Sequence, residues 1–156
     1  MADEMPARPI HTVLLVDDNE IVLRALHNYL EKKSFNLLEA RDGEEALLIA
    51  ECYPSMIHVL VTDLVMVPMN GRELVHRLLP LRPEMQVIMM SGFPDEILAQ
   101  HHRTPSMPIL EKPFLPKRLL TTIEDLLGNP QSGRTIEGLA RQLSPAALRQ
   151  IQVSGA

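Results

Sequence analysis

Residues 12–18 read TVLLVDD, an apolar and β-branched run from Thr12 to Val16 that stops abruptly at the acidic pair Asp17-Asp18. A run with no polar alternation fits a strand buried on both faces, as in a parallel sheet covered by helices. Beyond Asp17-Asp18-Asn19, itself a loop with a helix N-cap by composition, the period changes. Val22, Leu26, Tyr29 and Leu30 recur at helical spacing and form one apolar stripe, with Arg24, Glu31 and Lys32 turned to water.

The same pair of signals repeats along the chain. Strands are predicted over Phe35–Ala40, His58–Thr62, Gln86–Met90 and Pro108–Glu111. Helices are predicted over Gly43–Tyr53, Gly71–Leu81, Pro94–His102 and Pro116–Leu127. Asn70 and Glu73 are spaced as the N-cap and third residue of a capping box. Leu119, Leu120, Ile123, Leu126 and Leu127 make the stripe of the last helix. The helix after Gln86–Met90 is expected to be short, because Pro105 and Pro108 close its far end. Strands and helices in strict alternation call for a doubly wound α/β domain, since right-handed crossovers leave few other ways to bury such strands.

Composition agrees and narrows the function. The chain has 156 residues, 46% hydrophobic and 22% charged, which is room for one globular domain and an appendage. With two Tyr, three Phe and no Trp, aromatic stacking platforms for single-stranded nucleic acid have little to be built from. A formal charge of −5 disfavours a whole-chain surface for phosphate backbones or anionic lipid. The acidity is concentrated before Gly128; beyond it stand Arg134, Arg141 and Arg149 against Glu137 alone. A lone Cys52 cannot form an internal disulfide, and no apolar run reaches the ~18 residues of a membrane span. The reading is a cytoplasmic protein without a membrane anchor.

In doubly wound folds the functional crevice lies beyond the carboxyl ends of the strands. Here those ends carry Asp17-Asp18, Asp63, Ser91 and Lys112. Each residue alone has an ordinary explanation as a cap, a turn or a solvated Lys, but their placement at the ends of four strands is poorly explained that way. Three clustered carboxylates repel unless a cation offsets them, and oxygen donors suit Mg²⁺ better than zinc. A carboxylate beside bound Mg²⁺ is also a competent nucleophile toward phosphorus.

These residues resemble the receiver domains of two-component response regulators. The resemblance rests on LLVDDNE, on TDLVM followed by Met69-Asn70-Gly71, on MMSGF and on LEKPF, and it covers residues 10–127. TDLVM with LEKPF is similar to receivers attached to hybrid sensor histidine kinases. The resemblance implies a flavodoxin-like sheet of strand order 2-1-3-4-5 and a phosphoryl group accepted on Asp63 from a sensor histidine kinase or histidine phosphotransfer protein. It implies Mg²⁺ held by Asp17, Asp18, Asp63 and the backbone carbonyl of Val65, with Lys112 and Ser91 contacting the phosphoryl group. Gly92 and Phe93 follow Ser91 in the switching loop, and Pro113 is expected to follow a cis bond. Such a domain modifies only itself and is not an enzyme toward an external substrate.

Two positions depart from the family pattern. Val67 stands where Pro is usual, with Pro68 next, and Ile109 replaces the usual aromatic. The pair His101-His102 reads as solvated surface, since adjacent helical residues diverge. A haloacid-dehalogenase-type phosphohydrolase would want an acid where Val65 stands. A receiver-like module that is never phosphorylated is a second alternative. Residues 128–156 form a linker, GNPQSG, and a short helical extension. That extension packs on the domain, docks on a partner or a second copy of the chain, or begins a longer protein. Two short helices are too few for a homeodomain-like DNA reader.

Overall fold

The computed structural model describes residues 10–92 and 107–128. The helix predicted over 94–102, the His101-His102 pair and the extension beyond 128 lie outside the described residues. Within them the order is β1 (Thr12–Val16), α1 (Glu20–Glu31), β2 (Asn36–Ala40), α2 (Gly43–Cys52), β3 (Val59–Asp63), α3 (Gly71–Leu78), β4 (Gln86–Ser91), β5 (Ile109–Glu111) and α4 (Pro116–Gly128). All strand pairs are parallel and the sheet order is β2-β1-β3-β4-β5, the doubly wound arrangement expected.

Strand period divides the core into two layers. Val13 and Leu15 of β1, with Val59 and Val61 of β3, meet Leu23, Leu26 and Leu30 of α1 and Leu119, Ile123 and Leu126 of α4. Leu14, Val16 and Leu60 point to the other face, where Ala46 and Ala50 of α2 and Leu74 and Leu78 of α3 cover them. This accounts for the unbroken apolar runs of β1 and β3, since alternate residues serve opposite layers. In α1 the centre of the stripe is Leu23, Leu26 and Leu30, while Val22 and Tyr29 sit half-buried at its edge.

Helix ends follow local chemistry. Asn19 Oδ1 accepts from the N–H groups of Ile21 and Val22, and Asn70 Oδ1 accepts from Glu73 N–H at 2.9 Å. The Glu73 side chain reaches forward to Arg77 instead of back to Asn70, so only half of the capping box forms. Helix α3 stops at Leu78 and not at Leu81, because Pro80 has no N–H to continue the ladder. Among the described residues no helix is long and apolar enough to cross a membrane.

Arg82 closes the far end of α2. Its guanidinium donates to the carbonyls of Ala50 (2.9 Å), Tyr53 (2.5 Å) and Ser55 (2.6 Å), satisfying groups that a helix C-terminus leaves open. Arg82→Ala is predicted to lower stability by about 2–3 kcal/mol in urea unfolding. Arg82→Lys should recover less than half of that, because one point donor cannot span three carbonyls. A loss below ~0.5 kcal/mol for the alanine variant would refute the clamp.

At the same end of the sheet, His58 Nδ1 accepts from the Thr12 N–H at 2.9 Å, and the His11 ring stands edge-on with centroids 4.8 Å apart. Burial, and then the neighbouring His11, hold the His58 pKa below the ordinary histidine value despite Glu84. The folded state therefore favours neutral His58, and its contribution is complete above the unfolded pKa of about 6.5 and is lost as pH falls through it. Between pH ~7.5 and ~5.5 the urea midpoint of the wild type should fall further than that of His58→Asn, whose amide oxygen keeps the acceptor without titrating. Equal falls would remove His58 as the cause.

Candidate functional site

Ladder register brings the chemistry-bearing residues to one rim. Val16 pairs with Thr62, so Asp17 and Asp63 follow on the same rung of adjacent strands. Ser91 pairs with Glu111, which places Lys112 one step beyond. The Lys112 N–H donates to the Ser91 carbonyl at 2.7 Å and fixes where its side chain starts.

The side chains then converge. Lys112 Nζ lies 2.8 Å from Asp17 Oδ2 and 3.3 Å from Asp63 Oδ2. Asp17 is fully buried, and its other oxygen accepts from the Asn19 N–H at 2.9 Å. Asp63 is also buried, with the Val65 N–H at 3.4 Å from Oδ1. Asp18 is exposed at the mouth, and one carboxylate oxygen from each of Asp17, Asp18 and Asp63 lies within 4.8 Å of the others. Of the residues singled out in sequence, the structure thus gathers Asp17, Asp18, Asp63 and Lys112 at one point.

The electrostatics of this group are unbalanced. Burial pushes the Asp63 pKa up, and the Asp17 charge adds to that, against the pull of Lys112 and the Val65 N–H. Burial also opposes the Lys112 charge, but the hydrogen bond and charge of Asp17, then those of Asp63, outweigh it and hold its pKa above the ordinary lysine value. Three carboxylates against one ammonium leave two negative charges at a site whose donors are all oxygen. Such a set fits a hard divalent cation.

Ser91 is buried at the end of β4, and Gly92 beyond it is exposed with open space around its α-carbon. Phe93 lies outside the described residues. Ile109 is half-buried against the core layer beneath α2 and α3. The Lys112-Pro113 bond is cis, and so is Val67-Pro68, in the loop where the sequence departs from the family pattern. Asn19 does more than cap α1. Its backbone N–H also orients Asp17, as the run Asp17-Asp18-Asn19 allows through a turn closed by the first Asp.

A five-stranded doubly wound sheet with an acidic trio and a lysine at its carboxyl rim defines a class of domain that handles phosphoryl groups or divalent cations. Residues 13–124 match the family model described as the response regulator receiver domain, and the chain belongs to that family. It is 32% identical over 117 residues to the sensor kinase CckA of Brucella abortus (strain 2308), covering 74% of this chain but 12% of that protein. It is 29% identical over 116 residues to the response regulator receiver protein CpdR of the same organism, covering 74% of this chain and 95% of that one. The crystal structure of the receiver domain from hybrid histidine kinase CckA superposes with a TM-score of 0.64 at 28% identity, covering 74% of this chain and 98% of that one.

Removing the one positive partner of the two buried carboxylates should be costly. With divalent cations chelated, Lys112→Met is predicted to lose about 3 kcal/mol in urea unfolding, because Asp17 keeps a buried charge with no counter-charge. Asp63→Asn should move the other way, since a carboxylate with a raised folded pKa opposes folding at neutral pH. A wild-type midpoint in Lys112→Met, or a lowered one in Asp63→Asn, would contradict this charge assignment.

Proposed function

We propose that this domain is a two-component phosphoacceptor in which Asp63 takes a phosphoryl group from the phosphohistidine of a sensor histidine kinase or histidine phosphotransfer protein. The observation that carries the reading is the convergence of Asp17, Asp18, Asp63 and Lys112 from three strands onto one point. An Asp63 carboxylate oxygen attacks phosphorus, the P–N bond breaks, and the imidazole nitrogen leaves with the electron pair and picks up a proton. The product is an acyl phosphate on Asp63.

Asp17, Asp18, Asp63 and the Val65 carbonyl would hold Mg²⁺, which when bound neutralises phosphoryl oxygens as negative charge builds up. Lys112, already between Asp17 and Asp63, supplies the fixed positive charge on the other side. The Ser91 hydroxyl then moves to hydrogen-bond the phosphoryl group, which changes the protein contacts of that face. Ile109 has no ring to swing with this movement, so the aromatic coupling usual in the family has no counterpart at this position.

Four exposed apolar side chains stand within four residues of Asp18, Asp63 or Lys112 along the chain: Ile21 in the first turn of α1 (82% exposed), Val67 (78%) and Val65 (44%) after β3, and Leu115 (77%) before α4. Apolar residues so placed support docking by a protein donor, because a small phosphodonor needs no such surface. We assign residues 10–127 to the phosphoacceptor domain and 128–156 to an extension serving output or association with a second copy. The domain acts on itself and not on an external substrate, and we place it in the cytoplasm with the phosphohistidine it reads.

Incubation with acetyl phosphate and Mg²⁺ should add one phosphoryl group by intact mass to the wild type. It should add none to Asp63→Asn, and none to the wild type when a chelator is present. Addition to Asp63→Asn would move the acceptor elsewhere. No addition to wild type from either acetyl phosphate or a phosphohistidine donor would favour an interaction module that is never phosphorylated. Ile21→Ser and Leu115→Ser should slow transfer from a phosphohistidine protein about ten-fold, an effect of ~1.4 kcal/mol each, while leaving the acetyl phosphate reaction unchanged. Equal slowing with both donors would remove these residues from the docking surface.

A further inference from the structure

The loop from Leu64 to Asn70 starts at the proposed phosphoacceptor and touches its carboxylate, with the Val65 N–H 3.4 Å from Asp63 Oδ1. It is pinned at its start by the Leu64 N–H, which donates to the Met90 carbonyl at 2.8 Å. The Gly71 N–H pins it again by donating to the Leu64 carbonyl at 2.9 Å. At its far end Met69 is buried against the first residue of α2.

Two of these contacts exist only because a glycine stands there. A Cβ on Gly71 would lie 2.3 Å from the Asp63 carbonyl oxygen and 3.0 Å from the Leu64 Cα. A Cβ on Gly43 would lie 2.8 Å from Met69 Sδ, 3.1 Å from its Cβ and 3.2 Å from its Cγ. Both sets fall well inside the ~3.5–4.0 Å at which non-bonded carbon atoms rest. The α2 side of the second contact is held firmly. Asp42 Oδ1 accepts from the Glu45 N–H at 2.8 Å, and Glu45 Oε2 accepts from the Arg41 N–H at 3.1 Å, so both sides of Gly43 are tied down.

We infer that Gly43 and Gly71 are positioning residues for Asp63: Met69 keyed into the notch over Gly43 fixes the far end of the loop, and Gly71 lets the first turn of α3 seat on the Asp63 peptide. The two sites differ in what must yield. At Gly71 the neighbour is backbone, so a side chain there displaces either α3 or Asp63 itself. At Gly43 the neighbour is the Met69 side chain alone, from its Cβ to its sulfur, so a methyl group displaces Met69 and its loop while the sheet and α2 stay in place. Gly43→Ala therefore probes the loop without dismantling the fold.

The kinetic arm of the test rests on the reading of Asp63 as the phosphoacceptor; a spectroscopic arm does not. Rate constants for Mg²⁺-dependent phosphoryl uptake from acetyl phosphate are measured per folded molecule for wild type, Gly43→Ala, Met69→Ala and Gly43→Ala/Met69→Ala, and for Gly71→Ala where it folds. A displacement of several tenths of an ångström at the reacting group predicts about a five-fold slower reaction in Gly43→Ala and a larger loss in Gly71→Ala. The double variant should be faster than the product of the two single effects, because Met69→Ala removes two of the three close contacts. A merely destabilising change lowers the folded fraction and leaves the rate constant alone. An unchanged rate constant in Gly43→Ala, or strict additivity in the double variant, overturns the inference. If the wild type takes up no phosphoryl group, the phosphoacceptor reading fails, and the amide resonances of Asp63, Leu64 and Val65 decide the positioning claim alone. Shifts in Gly43→Ala that reverse in the double variant support it; resonances unmoved from wild type overturn it.

Discussion

One ammonium group holds the rim of the sheet together. Lys112 lies against two buried carboxylates, Asp17 and Asp63, which come from strands that are not its neighbours. Without it two like charges would face each other out of water, a cost of several kcal/mol that the packing of one small domain could not easily absorb. With it, one negative charge is neutralised and two remain on an all-oxygen donor set that fits a divalent cation. The rim is thus left short of positive charge.

The sheet serves this triad. Parallel pairing puts every carboxyl end on the same side, and a register that sets Val16 against Thr62 makes Asp17 and Asp63 level. The two apolar layers of the core hold these strands at fixed spacing, so the carboxylates cannot spread apart to relieve their repulsion. Loops then add the adjustable parts: the Asn19 N–H on Asp17, the Val65 N–H on Asp63, and the exposed Asp18. Strands bring the carboxylates level, and loops orient them and set what can enter.

Much of this was legible in the residues. The run Thr12–Val16 ending in Asp17-Asp18 and the equivalent run ending in Asp63 carry the strand period and the chemistry in the same few positions. Other parts were not legible, for identifiable reasons. The salt bridge from Lys112 to Asp17 spans 95 residues, and only the folded register makes those two neighbours. The Arg82 clamp uses backbone carbonyls, which have no sequence signature. Pro80 ends α3 sooner than its apolar spacing suggests, and the central role of Leu23 in α1 is hidden because Val22 fits the spacing as well. The contact between Gly43 and Met69 joins the start of α2 to the loop after β3, a proximity no local pattern records.

Whether Asp63 accepts the phosphoryl group is decided by chemical trapping. An acyl phosphate is reduced by borohydride to an alcohol, whereas a free carboxylate and phosphate esters on Ser or Thr are not. Phosphorylated wild-type protein, reduced and fragmented, should carry the reduced side chain at Asp63 alone, and only when Mg²⁺ was present during phosphorylation. Reduction at Asp17 or Asp18, or a stable phosphate found on Ser91 with Asp63 unmodified, would contradict the account.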